Sequence, residues 1–131
     1  MKSISTHIRI VAWLHILLGS LSLLGGILVA LIFGVIGGAL ASGASGHALP
    51  GILAFFGVGT VIFILIGVFA IPHFIVAWGL LNRVAWARIV GIIVSILSLL
   101  HPAIGLGTAI AIYSLIVLFS SESEELFRRA V

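Results

Sequence analysis

Cysteine is absent from this sequence, and carboxylates are nearly so. The first absence removes disulfides, thiolate metal sites and thiol nucleophiles together. The only acidic residues, Glu122, Glu124 and Glu125, sit near the C-terminus. A pair of carboxylates for acid–base work therefore cannot be assembled elsewhere in the chain, and a hydrolase or transferase site has little to draw on. The expectation is that the protein is not an enzyme. Charge as a whole is scarce, at 7% of residues against 63% apolar, where a soluble domain has roughly 25% charged. With so little polar surface for 131 residues, the surrounding medium must be mostly lipid. The net charge of +3 does not read as a nucleic-acid footprint, because the basic residues are scattered between apolar runs. Gly37-Gly38 and Gly57-x-Gly59 lack the lysine, strand and spacing of a phosphate loop.

What is abundant is long uncharged sequence. A membrane-crossing helix needs about 20 apolar residues. Four such runs can be drawn: about 10–40, about 51–81, about 86–100 and about 103–119, followed by a polar tail, 120–131. A Gly/Ser/Ala loop (41–50), a basic turn (82–88) and His101-Pro102 separate them, proline disfavouring helical geometry in the residue before it. The expected fold is all-α: one polytopic membrane domain over residues 1–131, with four transmembrane helices in a long hairpin and a short one.

All basic residues then fall on one side. Lys2 and Arg9 precede the first span, Arg83 and Arg88 lie between the second and third, and Arg128 and Arg129 follow the fourth. The positive-inside rule places both termini in the cytoplasm. Trp13, Trp78 and Trp86 lie near the same ends, as an interfacial aromatic belt would. Lys2, Arg9 and the small residues Ala39-Leu40-Ala41 also suggest a signal peptide. The apolar run between them is about twice the usual ~7–15 residues, so a retained helix is expected. The two long runs, each ~45 Å as helices, exceed a hydrocarbon core of ~30 Å. They must tilt, kink or project, and the apolar segments Phe33–Leu40 and Ile52–Val58 make projection into bare water untenable without a partner.

Ser22, Gly26, Ala30, Gly34, Gly38 and Ser42 recur at every fourth position of the first run. In lipid, helices associate through close backbone approach rather than a hydrophobic drive, so this stripe predicts a helix lying along it, from the same chain or another.

The polar residues inside the spans are functional candidates, because such groups are costly in a membrane. His15 lies ~9 Å in from Arg9, and His73 ~12 Å in from Leu81 on the same side. Ser95 and Tyr113 lie at similar depth. These residues are expected to form one polar layer beside Pro72, whose ring frees a carbonyl one turn back. Three uses stay open: a structural layer fixing helix register, a proton or ion path through His15, His73 and Tyr113, or axial haem ligation by the two histidines. No third ligand accompanies them for a metal ion. His47 and His101 read as solvated loop residues. In the tail, Ser121-x-x-Glu124 reads as a capping box, with Glu124/Arg128 and Glu125/Arg129 as i,i+4 pairs and Leu126 and Phe127 dipping into the interface.

The stretch Gly79-Leu80-Leu81-x-Arg83-x-x-Trp86-Ala87-Arg88, then Pro102, Gly107-Thr108 and Tyr113-x-Leu115-x-x-Leu118, resembles a diffuse class of small bacterial membrane proteins with four spans and no assigned activity. Trp13-Leu14-His15-x-x-x-Gly19 is a looser likeness. The class often has an aromatic three residues after the tyrosine, where Ile116 stands here. The resemblance covers the last third to half of the chain and implies a bacterial inner (cytoplasmic) membrane. The expected role is a non-enzymatic one, through self-association or as an accessory subunit, with membrane lipids around it and no nucleic acid. A small channel or transporter, and a haem-binding electron-transfer subunit, are the alternatives.

Overall fold

The computed structural model describes residues 2–43, 49–100 and 105–128. Arg129, the loop histidines His47 and His101, Pro102 and the expected start of the fourth span at Ala103 lie outside them.

Among the described residues the chain is all-helical: α1 (Lys2–Ser42), α2 (Leu49–Leu81), α3 (Ala85–Leu100), α4 (Leu106–Phe119) and α5 (Ser121–Arg128). Two helices are long and apolar enough to cross a membrane, Ser3–Ser42 and Leu49–Leu81. The α4–α5 pair, bent by 65°, would be a third if taken as one span. With 16 and 14 residues, α3 and α4 are ~24 and ~21 Å long, shorter than a ~30 Å core. Their sides, like those of α1 and α2, are apolar outward: Leu24, Ile64, Ile89 and Ile116 are all more than half exposed. A soluble monomer rarely shows so much contiguous apolar surface, and a lipid-embedded one must.

The chain divides into two compact units, 1–19 with 71–131, and 20–70. Every Lys, Arg, Glu and Trp belongs to the first; the second carries no charge.

The core of the first unit uses one face of each helix. Ile4, Ile8, Val11 and Ala12 come from α1, Val76 and Leu80 from α2, Ala87 and Val94 from α3, Val117 and Leu118 from α4, and Phe127 from α5. The steps of three and four on α1 are those of a single helical face. The α2–α3 turn is a Schellman motif: Val84 N–H donates to Gly79 O (3.1 Å) and Arg83 N–H to Leu80 O (3.2 Å). It requires a left-handed residue at position 83, and Arg83 takes φ 54° there, where glycine is the usual choice. A Cβ on Gly79 would lie 2.7 Å from the Cβ of Ala87 and 2.9 Å from the Trp86 ring, so only glycine admits α3 this close.

The second unit is an antiparallel pair, residues 20–42 of α1 against 49–70 of α2. Contacts climb on one helix as they descend on the other: Gly26 faces Ile66, Phe33 faces Gly59, and Gly37 faces Phe56. Each pairs a glycine with a large side chain, and Phe33 also stacks on Phe55 at 4.6 Å between ring centroids. The small-residue stripe is divided by this packing. Gly26 is buried and Ser22 and Ala30 half-buried, but Gly34 and Gly38 are exposed, with nothing within 4 Å of where a Cβ would stand. The reason is angular. At ~100° per residue each i+4 step turns ~40°, so a row of fourth positions winds away from its partner. The contacting positions 26, 33 and 37 follow steps of seven and four, which hold a face better.

The tail also departs from expectation. The N-cap of α5 is Ser120: its hydroxyl accepts from Ser123 N–H at 3.2 Å and donates to Val117 O at 2.8 Å. Glu124 pairs with Arg88 at 3.2 Å rather than forming the local pair with Arg128. Phe127 is buried in the core of the first unit, with Leu126 packed against it. Helix α5 thus packs onto protein through Phe127, the side chain expected to dip into the interface.

Candidate functional site

The polar residues of the first unit are set by the same helix faces that make its core. His15 continues the α1 series Ile4, Ile8, Val11, and is 1% exposed. Its Nδ1–H donates to Val11 O, one turn back, at 3.0 Å, which leaves Nε2 with the lone pair. His73 lies against it: the ring centroids are 5.3 Å apart at 58°. This is ordinary tilted ring packing. Two rings already in contact leave no slot for a porphyrin between them, so haem ligation would need α1 and α2 to part.

Among the described residues, His73 Nδ1, Ser95 Oγ and Ser114 Oγ are buried without a hydrogen-bond partner, on α2, α3 and α4, as is Ser123 Oγ on α5. Contacts at the turn side fix the level of the first three. A Cβ on Gly91 would meet Leu118 at 2.9 Å and Val76 at 3.4 Å, so positions 76, 91 and 118 are neighbours. About one helical turn further from the α2–α3 turn on each helix stand His73, Ser95 and Ser114. The cluster is therefore two imidazoles and two hydroxyls from α1, α2, α3 and α4.

Tyr113 belongs elsewhere. Its hydroxyl pairs with Nδ1 of the exposed His7 at 2.8 Å. Neighbouring positions on a helix point ~100° apart, so Ser114, which nothing in its sequence context singles out, takes the inward place instead. His7 was equally hidden, since it precedes the first apolar run.

The expected interface residues line one unit. Arg9, Arg83 and Arg128 are exposed, as are Trp13, Trp78 and Trp86, and Trp78 stacks on Trp86 at 6.4 Å. Arg88 is the exception: half-buried, it donates from Nε to Leu118 O at 2.9 Å and meets Glu124. The Gly79–Arg88 stretch is thus a structural turn, each of Gly79, Leu80, Arg83, Trp86, Ala87 and Arg88 having a packing or capping part in it. In the second unit, a half-open groove of about 290 Å³ is lined by Ala30, Gly34, Thr60 and three phenylalanines. Its one hydroxyl, Thr60, already donates to Phe56 O. No group of three or more metal-ligating side chains occurs among the described residues.

Comparison with known protein families, with curated proteins and with solved structures yields no match to this chain.

Proposed function

We propose that the chain is a four-span protein of a bacterial inner membrane, with both termini cytoplasmic, and that it acts without catalysis, by associating with a further transmembrane helix as a homo-oligomer or an accessory subunit. The observation that carries this reading is the uncovered pair Gly34 and Gly38 on α1. Glycine in a helix interior is ~1 kcal/mol less favourable than alanine. Facing lipid, it recovers nothing. Facing another helix, it lets the backbones approach, which is the main source of association energy in a bilayer. The apolar, uncharged character of the unit that bears them supports a partner within the membrane rather than a soluble one.

Native-membrane purification in mild detergent, with and without crosslinking, tests it. The wild-type chain is expected to travel with a second copy or with another membrane subunit, and Gly34→Leu to lose that companion while keeping its own thermal stability. An unchanged companion pattern in Gly34→Leu would overturn the reading. Orientation is tested separately: a reporter after Val131 should lie in the cytoplasm and one inserted at Ser45 outside.

A further inference from the structure

The buried cluster of the first unit has more polar capacity than the protein itself uses. His15 is anchored by its carbonyl bond, which fixes the ring and its tautomer. His73, in ring contact with it, and Ser95 and Ser114, at the same level by helix register, have side-chain atoms (Nδ1 and both Oγ) that lack a protein partner among the described residues, and both serines are at most 1% exposed. One such group could be absorbed as strain. Three at one level, on three different helices, are another matter: a polar group with no hydrogen bond in an apolar medium is costly, and more so within a bilayer, where no solvent is at hand. Serine is easily replaced by alanine where only packing matters.

We propose that His15, His73, Ser95 and Ser114 form an internal water-binding site through which the first unit relays protons. Water supplies both donor and acceptor, and two to four polar partners are enough to hold it; the helix register brings four polar side chains to one level. Hydroxyls and imidazoles are also the groups that carry a proton between waters without further cofactors. The step balances simply. A hydronium in the site gives its proton to the bare ring nitrogen of His73; that ring gives up the proton on its other nitrogen to the next water or hydroxyl, and a ring rotation restores the tautomer, while His15, its Nδ1–H held by Val11 O, orients the water through Nε2. No electrons change hands. Tyr113, next to Ser114 in the chain, holds its hydroxyl on the exposed His7, a polar step between the helix bearing the cluster and the surface. Only two side chains of the set are metal ligands by type, and no group of three occurs among the described residues, so water is better served than a metal cation.

The test uses the full chain in liposomes that contain a pH-sensitive dye, with a potassium gradient and valinomycin setting the potential. Wild type is expected to admit protons above the protein-free level. The combined His15→Gln and His73→Gln variant should lower that flux by about ten-fold or more, and the combined Ser95→Ala and Ser114→Ala variant should lower it measurably, with helicity unchanged in both. Flux absent from wild type, or unaffected in the histidine variant, overturns the proposal. Should the variants fail to fold, water-edited NMR of 15N-histidine wild type decides: rapid transfer from water to the His73 ring supports the site, and a dry His73 ends it. Gly34→Leu lies in the other unit, so loss of association and loss of flux are separable results.

Discussion

The carbonyl of Leu118, in the last turn of α4, accepts a hydrogen bond from Nε of Arg88 on α3 at 2.9 Å. The last four carbonyls of a helix have no partner in the helix itself, and here an arginine thirty positions earlier in the chain supplies one. The same guanidinium reaches Glu124 at 3.2 Å, so α3, α4 and α5 meet at one side chain. This makes Arg88 a structural residue.

The two contacts of Arg88 should separate energetically. Glu124 is 59% exposed, and exposed ion pairs contribute only ~0–1 kcal/mol. The charge-assisted bond to a carbonyl is stronger, and its loss leaves an acceptor bare, at ~1.5–3 kcal/mol. Arg88→Ala is therefore expected to lower thermal stability in detergent distinctly more than Glu124→Ala. Equal losses would show that the ion pair, not the carbonyl bond, holds the junction.

Glycine substitutions should sort by what a Cβ would meet. At Gly79 it would meet the Cβ of Ala87 at 2.7 Å, an atom that cannot move without its backbone; at Gly57 it would meet nothing within 4 Å. Overpacking of this kind costs about 1–3 kcal/mol, whereas an unopposed Gly→Ala change in a helix gains up to ~1 kcal/mol. Gly79→Ala should thus destabilise and Gly57→Ala should stabilise or be neutral, in the same thermal assay. Stabilisation by both would mean α2 and α3 do not approach as closely as described.

Helix positions were accessible from the sequence because uncharged runs and the basic turn at 82–88 punctuate it. Helix faces were not. Where both sides of a helix are apolar, as in α2, periodicity carries no azimuthal signal, and the inward choice falls to small differences in size. That is why Tyr113, the conspicuous polar residue, points to His7 while the unremarkable Ser114 faces the cluster. It is also why the fourth-position stripe looked continuous although Gly34 and Gly38 make no close contact with α2, Gly34 standing at the open groove it shares with Phe56 and Thr60. His15 and His73 could be assigned a common depth by counting from the nearest charges, but their contact at 5.3 Å depends on azimuth. The tail failed for a different reason: Ser120 and Ser121 are chemically equivalent N-caps, and a single-residue shift changes every side-chain pairing after it.

Within the second unit, Gly59 and Gly34 should behave oppositely. A Cβ on Gly59 would lie 2.7 Å from the Cβ of Phe33, so Gly59→Leu should split the hairpin and lower the melting temperature of the chain even as a monomer. Gly34→Leu should leave that temperature unchanged. A monomer destabilised by Gly34→Leu would place that glycine inside the hairpin instead of at its surface.

The turn residue Arg83 gives the last prediction. Its φ of 54° is one that a side chain bearing a Cβ adopts at a cost, and glycine at the same Schellman position removes that cost. The side chain is exposed, so little packing is lost with it. Arg83→Gly is expected to raise stability by ~0.5–1 kcal/mol, partly offset because glycine also frees the unfolded chain. Arginine at this position then has to be explained by its charge. With Lys2, Arg9, Arg88, Arg128 and Arg129 still present, the orientation set by basic residues should survive the single change. It should weaken when Arg83→Gly is combined with Arg88→Gln, which empties the middle turn of charge. Reporter fusions after Val131 and at Ser45 measure this directly: a mixed orientation in the double variant and a single one in Arg83→Gly is the expected pattern. Loss of stability in Arg83→Gly would mean that the arginine side chain holds the turn through a contact of its own.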